Sequence, residues 1–334
     1  MTARPIGSLA AQIVNGLAER SGRPRPFADV IPIADRESWL AMRKQDVTAS
    51  GAAALLGVHP FVTAYGLWAE KTGAIAQDGE MTEAMERGIE LEPLAVRRLA
   101  KVRPTWLVEQ PNAYYRDPKA RLGATPDAFA SDPERPGFGV VQIKSVEPRK
   151  FRKDWRNEDG EIEPPLWIVV QAIIEAHLTG AQWAAVAALV ISYGIELHVV
   201  EVPLHAGIIE RIRAETEAFW RMVEDGHTPD PDYKRDGTLL SRIYAEASGP
   251  EIDLSADNEI PSLLAERERI SAVTSENRRR SDEIKAALLH KIGPAQSARV
   301  AGGIITAKTV NRKGYTVEPS SYRDIRFKPA GAAR

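Results

Sequence analysis

Apolar residues along this chain recur in two rhythms, and the changes of rhythm mark its elements. From Asp35 to Gly73 the three-and-four spacing of helices dominates, broken by the turn sequence "GVHPF". Met81 to Val102 continues as a long helical pattern interrupted by Pro93. Two strand-like runs then flank "SDPERPG" and predict a β-hairpin. "PLWIVVQAIIEAHLTG" opens on proline and stops at Gly180, the signature of a buried helix. "WAAVAALVIS" and "IELHVVEV" predict a second hairpin around "YG", followed by a helix near 204–225. Leu254 to Leu289 is charged and helical, with apolar residues at Leu263, Ile270, Val273, Ile284 and Leu288; "ARVAGGIITAKTVNRKGYTV" reads as a last basic hairpin.

Turn formers in "PDPDYKRDGT" and "EASGPEIDLSADN" predict a boundary between 235 and 255. The expected organisation is a loosely attached tail over 1–34 with one short helix, a core over 35–235, and a helical, basic extension over 255–330. The 334 residues suit one elaborated domain or two, and 43% hydrophobic with 27% charged residues suits a sizeable core. No apolar run approaches the length of a membrane span, and the N-terminus lacks the compact apolar stretch of a signal peptide. The absence of cysteine excludes disulfides, iron–sulfur clusters and thiolate zinc sites, which fits a bacterial cytoplasm. The net charge of −2 divides unevenly: from Asp257 onward 15 Lys/Arg face 9 Asp/Glu. An acidic body with a basic C-terminal part suits a cation site joined to a polyanion-binding surface, and equally an ordinary solvated helix.

The strand "GVVQIKSV" carries the first chemistry. Alternation points Val141 and Ile143 one way, Gln142 and Lys144 the other, and an edge strand with a wet face would look the same. A hairpin would bring Asp127 beside them. Asp, then Glu/Gln-x-Lys, serves phosphodiester hydrolysis: the carboxylate holds Mg²⁺, and the lysine orients water and offsets charge on the phosphate. As a bare pattern it is common, and Asp127 could equally be a turn residue after Pro126.

Two polar residues interrupt apolar stripes. Glu92 falls on the stripe of Met85, Ile89, Val96 and Leu99, where a buried carboxylate needs a metal or an arginine such as Arg97 or Arg98. Gln171 falls on the stripe of Trp167, Ile174 and Leu178, where a satisfied core amide is the plain alternative. Upstream, Ser50 precedes an alanine-rich stretch. It reads as a helix N-cap, or, with Arg43 seven residues earlier, as part of an anion site. None of the six histidines has a partner at zinc spacing, and no Gly-rich phosphate loop or Ser-His-Asp arrangement is present.

The ordered segments "RKQDVTASGAAALLGVHPFVTAYGLWAEKTG", "ERGIELEPLAVRRL", "LGATPDAF", "VVQIKSV" and "WIVVQAIIEAHLTG" resemble YqaJ-type viral recombinases, relatives of the lambda-type alkaline exonuclease within the PD-(D/E)xK nuclease superfamily. The likeness runs from about Trp39 to Val202. It implies an α/β fold with a restriction-endonuclease-like core, a central mixed sheet flanked by helices. It also implies a Mg²⁺-dependent exonuclease, with Mn²⁺ able to substitute, that digests linear double-stranded DNA ends from 5′ to 3′ and leaves 3′ overhangs for a single-strand annealing protein. Carried over by position, Asp127, Glu92 and the Ile143 carbonyl are metal ligands, Lys144 is the catalytic lysine, Gln171 is the helix glutamine beside the site, and Arg43 with Ser50 holds the 5′-phosphate. A homotrimer is expected from the same likeness. Gln142 departs from the family's usual glutamate, although its amide oxygen can still ligate a hard cation. It is a tolerated natural residue, an engineered silencing, or the mark of a module that binds DNA without cutting it. A structure-selective endonuclease of the same superfamily is the nearest enzymatic alternative.

Overall fold

A computed structural model describes residues 28–75, 82–311, 313–314 and 325–326. In chain order the elements are β1 (Asp29–Pro32), α1 (Arg36–Gln45), β2 (Val47–Thr48), α2 (Ala49–Ala52), α3 (Ala64–Thr72), α4 (Glu83–Val102), β3 (Leu107–Glu109), β4 (Ala113–Asp117), β5 (Leu122–Ala124) and β6 (Ala128–Ser131). They continue with β7 (Phe138–Val146), α5 (Pro148–Asp154), α6 (Leu166–Thr179), β8 (Trp183–Ile191), β9 (Ile195–Val202), α7 (Ala206–Glu224), α8 (Gly237–Ile243), α9 (Ile260–Ile292), β10 (Ser297–Val300) and β11 (Gly303–Thr306).

A mixed sheet in the order β3-β6-β7-β8-β9 forms the centre of the N-terminal unit. Both predicted hairpins are present: β6 pairs antiparallel with β7, and β8 with β9. The central pair, β7 and β8, is parallel, with Gln142 opposite Val186 and Lys144 opposite Ala188. The strand carrying Gln142 and Lys144 is therefore interior to the sheet, not an edge. Strand β8 is apolar on both faces because both are covered: Ala185 and Ala187 pack toward α4, Ala184 and Ala188 toward α5 and α6. A second sheet, β1-β4-β5-β2, packs near α6 and α7 around Tyr115, Leu122 and Phe219. These sheets and helices give the α/β architecture expected from the resemblance.

Local chemistry explains the element ends. Asp35 accepts from Ser38 N at 2.8 Å and opens α1 with a reciprocal capping box. Helices α3 and α6 stop at Gly73 and Gly180, whose φ values of 74° and 73° lie in the left-handed region. Helix α4 runs through Pro93 without a break. The first differences from expectation lie here. Asp29–Pro32, read as tail, pairs with β4 as a strand, while residues 1–27 lie outside the described residues. Met85 and Ile89 are 58% and 60% exposed, because the N-terminal half of α4 projects past the core that buries Ala95 and Leu99.

The chain divides into two compact units at Ile243/Tyr244. In the C-terminal unit, α9 is a 33-residue helix and β10 pairs with β11 as the predicted hairpin, although residues 312 and 315–317 of that segment lie outside the described residues. Among the described residues no helix is long and apolar enough to cross a membrane.

Candidate active site

Strand β7 sets the site by alternation. Val141 and Ile143 join the core under α4, while Gln142 turns toward α6 and is 1% exposed. Asp127 stands immediately before β6, whose Ala128 pairs with Val141. Its Oδ2 accepts from the Ile143 backbone N–H at 2.7 Å and from the Gln142 amide. Asp127 is thus a member of a polar cluster, not a turn residue. Burial raises its carboxyl above the ordinary value, and the Lys144 charge acts in the opposite direction.

Helix α6 supplies the next layer. Lys144 Nζ donates to Gln171 Oε1 at 3.0 Å and lies 5.6 Å from the centre of the Trp167 ring. Gln171 spends its two N–H groups on Gln142 Oε1 and on Glu175 Oε1, each at 2.9 Å. Gln142 in turn gives its amide N–H groups to Asp127 and to the Ile143 carbonyl, the latter at 3.3 Å. Lysine can only donate, so the Gln171 oxygen must face it, and every later amide orientation follows. In this arrangement the Gln142 oxygen is turned to Gln171 and its nitrogen to Asp127. Glu175 was missed by the sequence reading. It is 0% exposed, and its Oε2 has no hydrogen-bond partner. Burial, and secondarily the Asp127 charge, pushes its carboxyl well above the ordinary value.

Glu92 comes from α4. Its carboxylate is held by Gln110 Nε2 at 2.9 Å, the partner it finds in place of Arg97 or Arg98. Its pKa rises to about 7, mainly through burial and next through the Asp127 charge. The Asp127 and Glu92 carboxylates and the Ile143 carbonyl are oxygen donors of the kind a hard divalent cation takes, whereas Gln142 turns its nitrogen, not its oxygen, to Asp127 and the Ile143 carbonyl. Among the described residues no three His, Cys, Asp or Glu side chains gather to hold an ion.

Arg43 and Ser50 form a separate part of the same cleft. Arg43 Nη2 donates to Ser50 Oγ at 3.3 Å, and its guanidinium lies 4.5 Å from the centre of the Trp39 ring. Ser50 does not cap a helix: α2 is a single turn with Thr48 at its cap position, and the Ser50 hydroxyl lies 3.1 Å from Thr48 Oγ1. Beneath this corner the fully buried Asp46 accepts from Arg116 Nε at 2.8 Å and Tyr114 Oη at 3.1 Å. Gly123 makes this possible, because a Cβ there would lie 1.9 Å from Tyr114 Oη. Lys71 Nζ, also buried, donates to the Arg43 carbonyl at 2.9 Å and fixes the end of α1. The basic corner therefore rests on a rigid polar base that periodicity alone did not reveal.

Arg43, Ser50, Glu92, Asp127, Gln142, Ile143, Lys144 and Gln171 all line one cleft of about 840 Å³. The structure brings every sequence-predicted site residue together. Phe61 stands at the same cleft, 73% exposed, with its ring centre 6.1 Å from that of Trp167.

Residues 38–182 match the family described as the YqaJ-like viral recombinase domain. The uncharacterised protein YqaJ of Bacillus subtilis (strain 168) is 26% identical over 259 residues, spanning 75% of this chain and 77% of that protein. Among solved structures, the alkaline exonuclease LHK-Exo from Laribacter hongkongensis is similar at 23% identity and a TM-score of 0.46, covering 61% of this chain and 99% of that one. A putative exonuclease from Eubacterium rectale is similar at 11% identity and a TM-score of 0.35, covering 68% of this chain and 98% of that one.

Proposed function

We propose, from the match of residues 38–182 to the YqaJ-like viral recombinase domain family, that the protein is a divalent-metal-dependent exonuclease acting on linear duplex DNA in recombination. The observation that carries the reading is the single cleft in which Asp127, Glu92 and Lys144 face the same space as Arg43 and Ser50. Asp127, Glu92 and the Ile143 carbonyl would hold Mg²⁺ or Mn²⁺, which supplies Lewis acidity at the scissile phosphate. Gln142, expected as a further ligand, turns its oxygen to Gln171 and its nitrogen to Asp127, so it would hold Asp127 in place from outside the cation's shell. Lys144 orients the attacking water and offsets charge on the phosphate. Arg43 and the Ser50 hydroxyl hold a terminal 5′-phosphate and so set the register of the strand, giving 5′-to-3′ digestion and a 3′ overhang. The overhang is the substrate of a single-strand annealing partner, and a homotrimer would enclose the duplex.

Digestion of end-labelled linear duplex with Mg²⁺, against EDTA and against a closed circular substrate, tests the reading. Cleavage of the circle would favour a structure-selective endonuclease. A second reading, a DNA-binding module without cleavage, draws support from Gln142, which donates to Asp127 where the family usually has a third carboxylate. Duplex binding with no digestion in Mg²⁺ or Mn²⁺ would select it.

A further inference from the structure

The buried carboxyl of Glu175 has no role in the chemistry just proposed, yet it ends the chain of hydrogen bonds that begins at Asp127. Gln171 Nε2 lies 2.9 Å from Glu175 Oε1, one helical turn further along α6. The other Glu175 oxygen is buried without a partner, an arrangement that costs stability. A group kept at such a cost, directly behind a cleft, calls for a reason beyond packing.

The reason lies in what Lys144 must do. While Lys144 donates to Gln171 Oε1, the lysine and Glu175 together fix the Gln171 amide from both sides. When Lys144 turns to a phosphate or a water, the Gln171 N–H groups are kept directed away from the lysine by Gln142 Oε1, itself part of a rotatable amide, and by the acceptor at Glu175. Without it, one Gln171 N–H is left buried and unsatisfied, and the side chain is drawn toward cleft water. Gln142 Oε1 then loses its donor, and the Gln142 amide is free to rotate away from Asp127.

We infer that Glu175 is a positioning residue: from behind the cleft it holds the Gln171 and Gln142 amides in the one orientation that presents a carbonyl oxygen to Lys144 and an N–H to Asp127. The inference rests on the nuclease reading for its kinetic consequence, but not for its geometric one.

Two variants test it. Glu175→Met keeps the volume and removes the acceptor, whereas Glu175→Gln keeps an acceptor oxygen. In Glu175→Met, kcat is expected to fall by about 100-fold, the scale of a misplaced catalytic group, with KM for DNA unchanged. Its melting temperature should move by only a few degrees, because removing an incompletely bonded buried carboxyl offsets the cost of the Gln171 N–H left without an acceptor. Glu175→Gln should restore the rate to within a few-fold of the parent, by keeping the acceptor. Side-chain amide resonances of Gln142 and Gln171, assigned from single substitutions, should be protected from exchange in the parent and in Glu175→Gln and lose protection in Glu175→Met. Unchanged protection in Glu175→Met would overturn the inference. So would a fall in melting temperature and rate shared by both variants, which would make Glu175 a packing residue. A parent protein that cleaves nothing would sink the nuclease reading, and the amide resonances would still decide the role of Glu175.

Discussion

Glu92 gives the most direct quantitative test, because its pKa of about 7 makes cation binding compete with a proton in the neutral range. An ordinary glutamate is half-ionised at pH 4.5 and almost fully ionised by about pH 6. Here burial, and then the charge of Asp127, keep it protonated. A cation at the site must therefore release one proton below pH 7 and none well above it. The apparent affinity should fall about tenfold for each pH unit below 7, equivalent to roughly 1.4 kcal/mol per unit. Calorimetric titration with Mn²⁺ at pH 6, 7 and 8, in buffers of different ionisation enthalpy, measures both the affinity and the protons released. Glu92→Gln should bind more weakly at pH 8 and lose the dependence between 6 and 8.

The same shift has a consequence for the metal-free protein, with its own sign. The folded-state pKa is raised, so the stabilising effect of the proton is fully present below pH 4.5 and is lost as pH rises through about 7. The full shift corresponds to a ceiling of about 3 kcal/mol. Water in the cleft screens Glu92, and roughly 1–2 kcal/mol is the expected loss. Melting in EDTA should fall over that window, and Mg²⁺ should remove most of the fall. Affinity that is flat from pH 6 to 8, with no proton released at pH 6, would refute the placement of Glu92 at the cation.

Three further outcomes follow from the same geometry. Lys144→Ala should lower kcat by on the order of 10²–10³, with duplex binding retained, because it removes a charge needed at the phosphate but no core packing; near-normal digestion would remove Lys144 from the active site. Arg43→Ala should erase the preference for phosphorylated over hydroxyl 5′ ends, a loss of about 1.5–3 kcal/mol for one charge-assisted hydrogen bond, read from rates on the two ends. Gln142→Glu should lower the melting temperature in EDTA, since Asp127 exchanges a donor for a second carboxylate, and should tighten Mg²⁺ binding by calorimetry; no change in either would show that position 142 is indifferent to the cation.

The fold was legible wherever periodicity met clear punctuation. The two hairpins and helix α6, ended by Gly180, emerged because alternation and a left-handed glycine are local signals. Strand β1 was not legible, since four residues carry no period and acquire strand geometry only by pairing with β4. The exposure of Met85 and Ile89 was hidden for a related reason: a stripe shows which face a helix buries, but not where along its length the core ends. At the site, Glu92 and Gln171 were visible as polar interruptions of apolar stripes. Glu175 was not, because its position behind Gln171 has meaning only once Gln142 and Lys144 are seen on the other side. Asp46, Tyr114 and Arg116 are joined only by the tertiary fold, from positions about 70 residues apart in sequence.

The amide at position 142 can now be weighed against the carboxylates around it. Asp127, Glu92 and Glu175 are all raised above ordinary values, each chiefly by burial, and the Asp127 charge adds to the shifts of the other two. A glutamate at 142 would place a further charge at 1% exposure beside Asp127, at a large desolvation cost. The glutamine relieves that crowding and gives Asp127 a donor, so the metal-free site is better satisfied. The same exchange leaves fewer negative charges to hold a cation. Mg²⁺ takes few protein ligands and completes its shell with water and substrate phosphate oxygens, so the missing charge is one that a DNA phosphate can supply. Cation and DNA end should therefore bind with strong mutual dependence: weak Mg²⁺ binding to the protein alone, and markedly tighter binding once a 5′-phosphorylated duplex end is present. Equal Mg²⁺ affinity with and without a DNA end, measured on Lys144→Ala to prevent turnover, would contradict this account of Gln142.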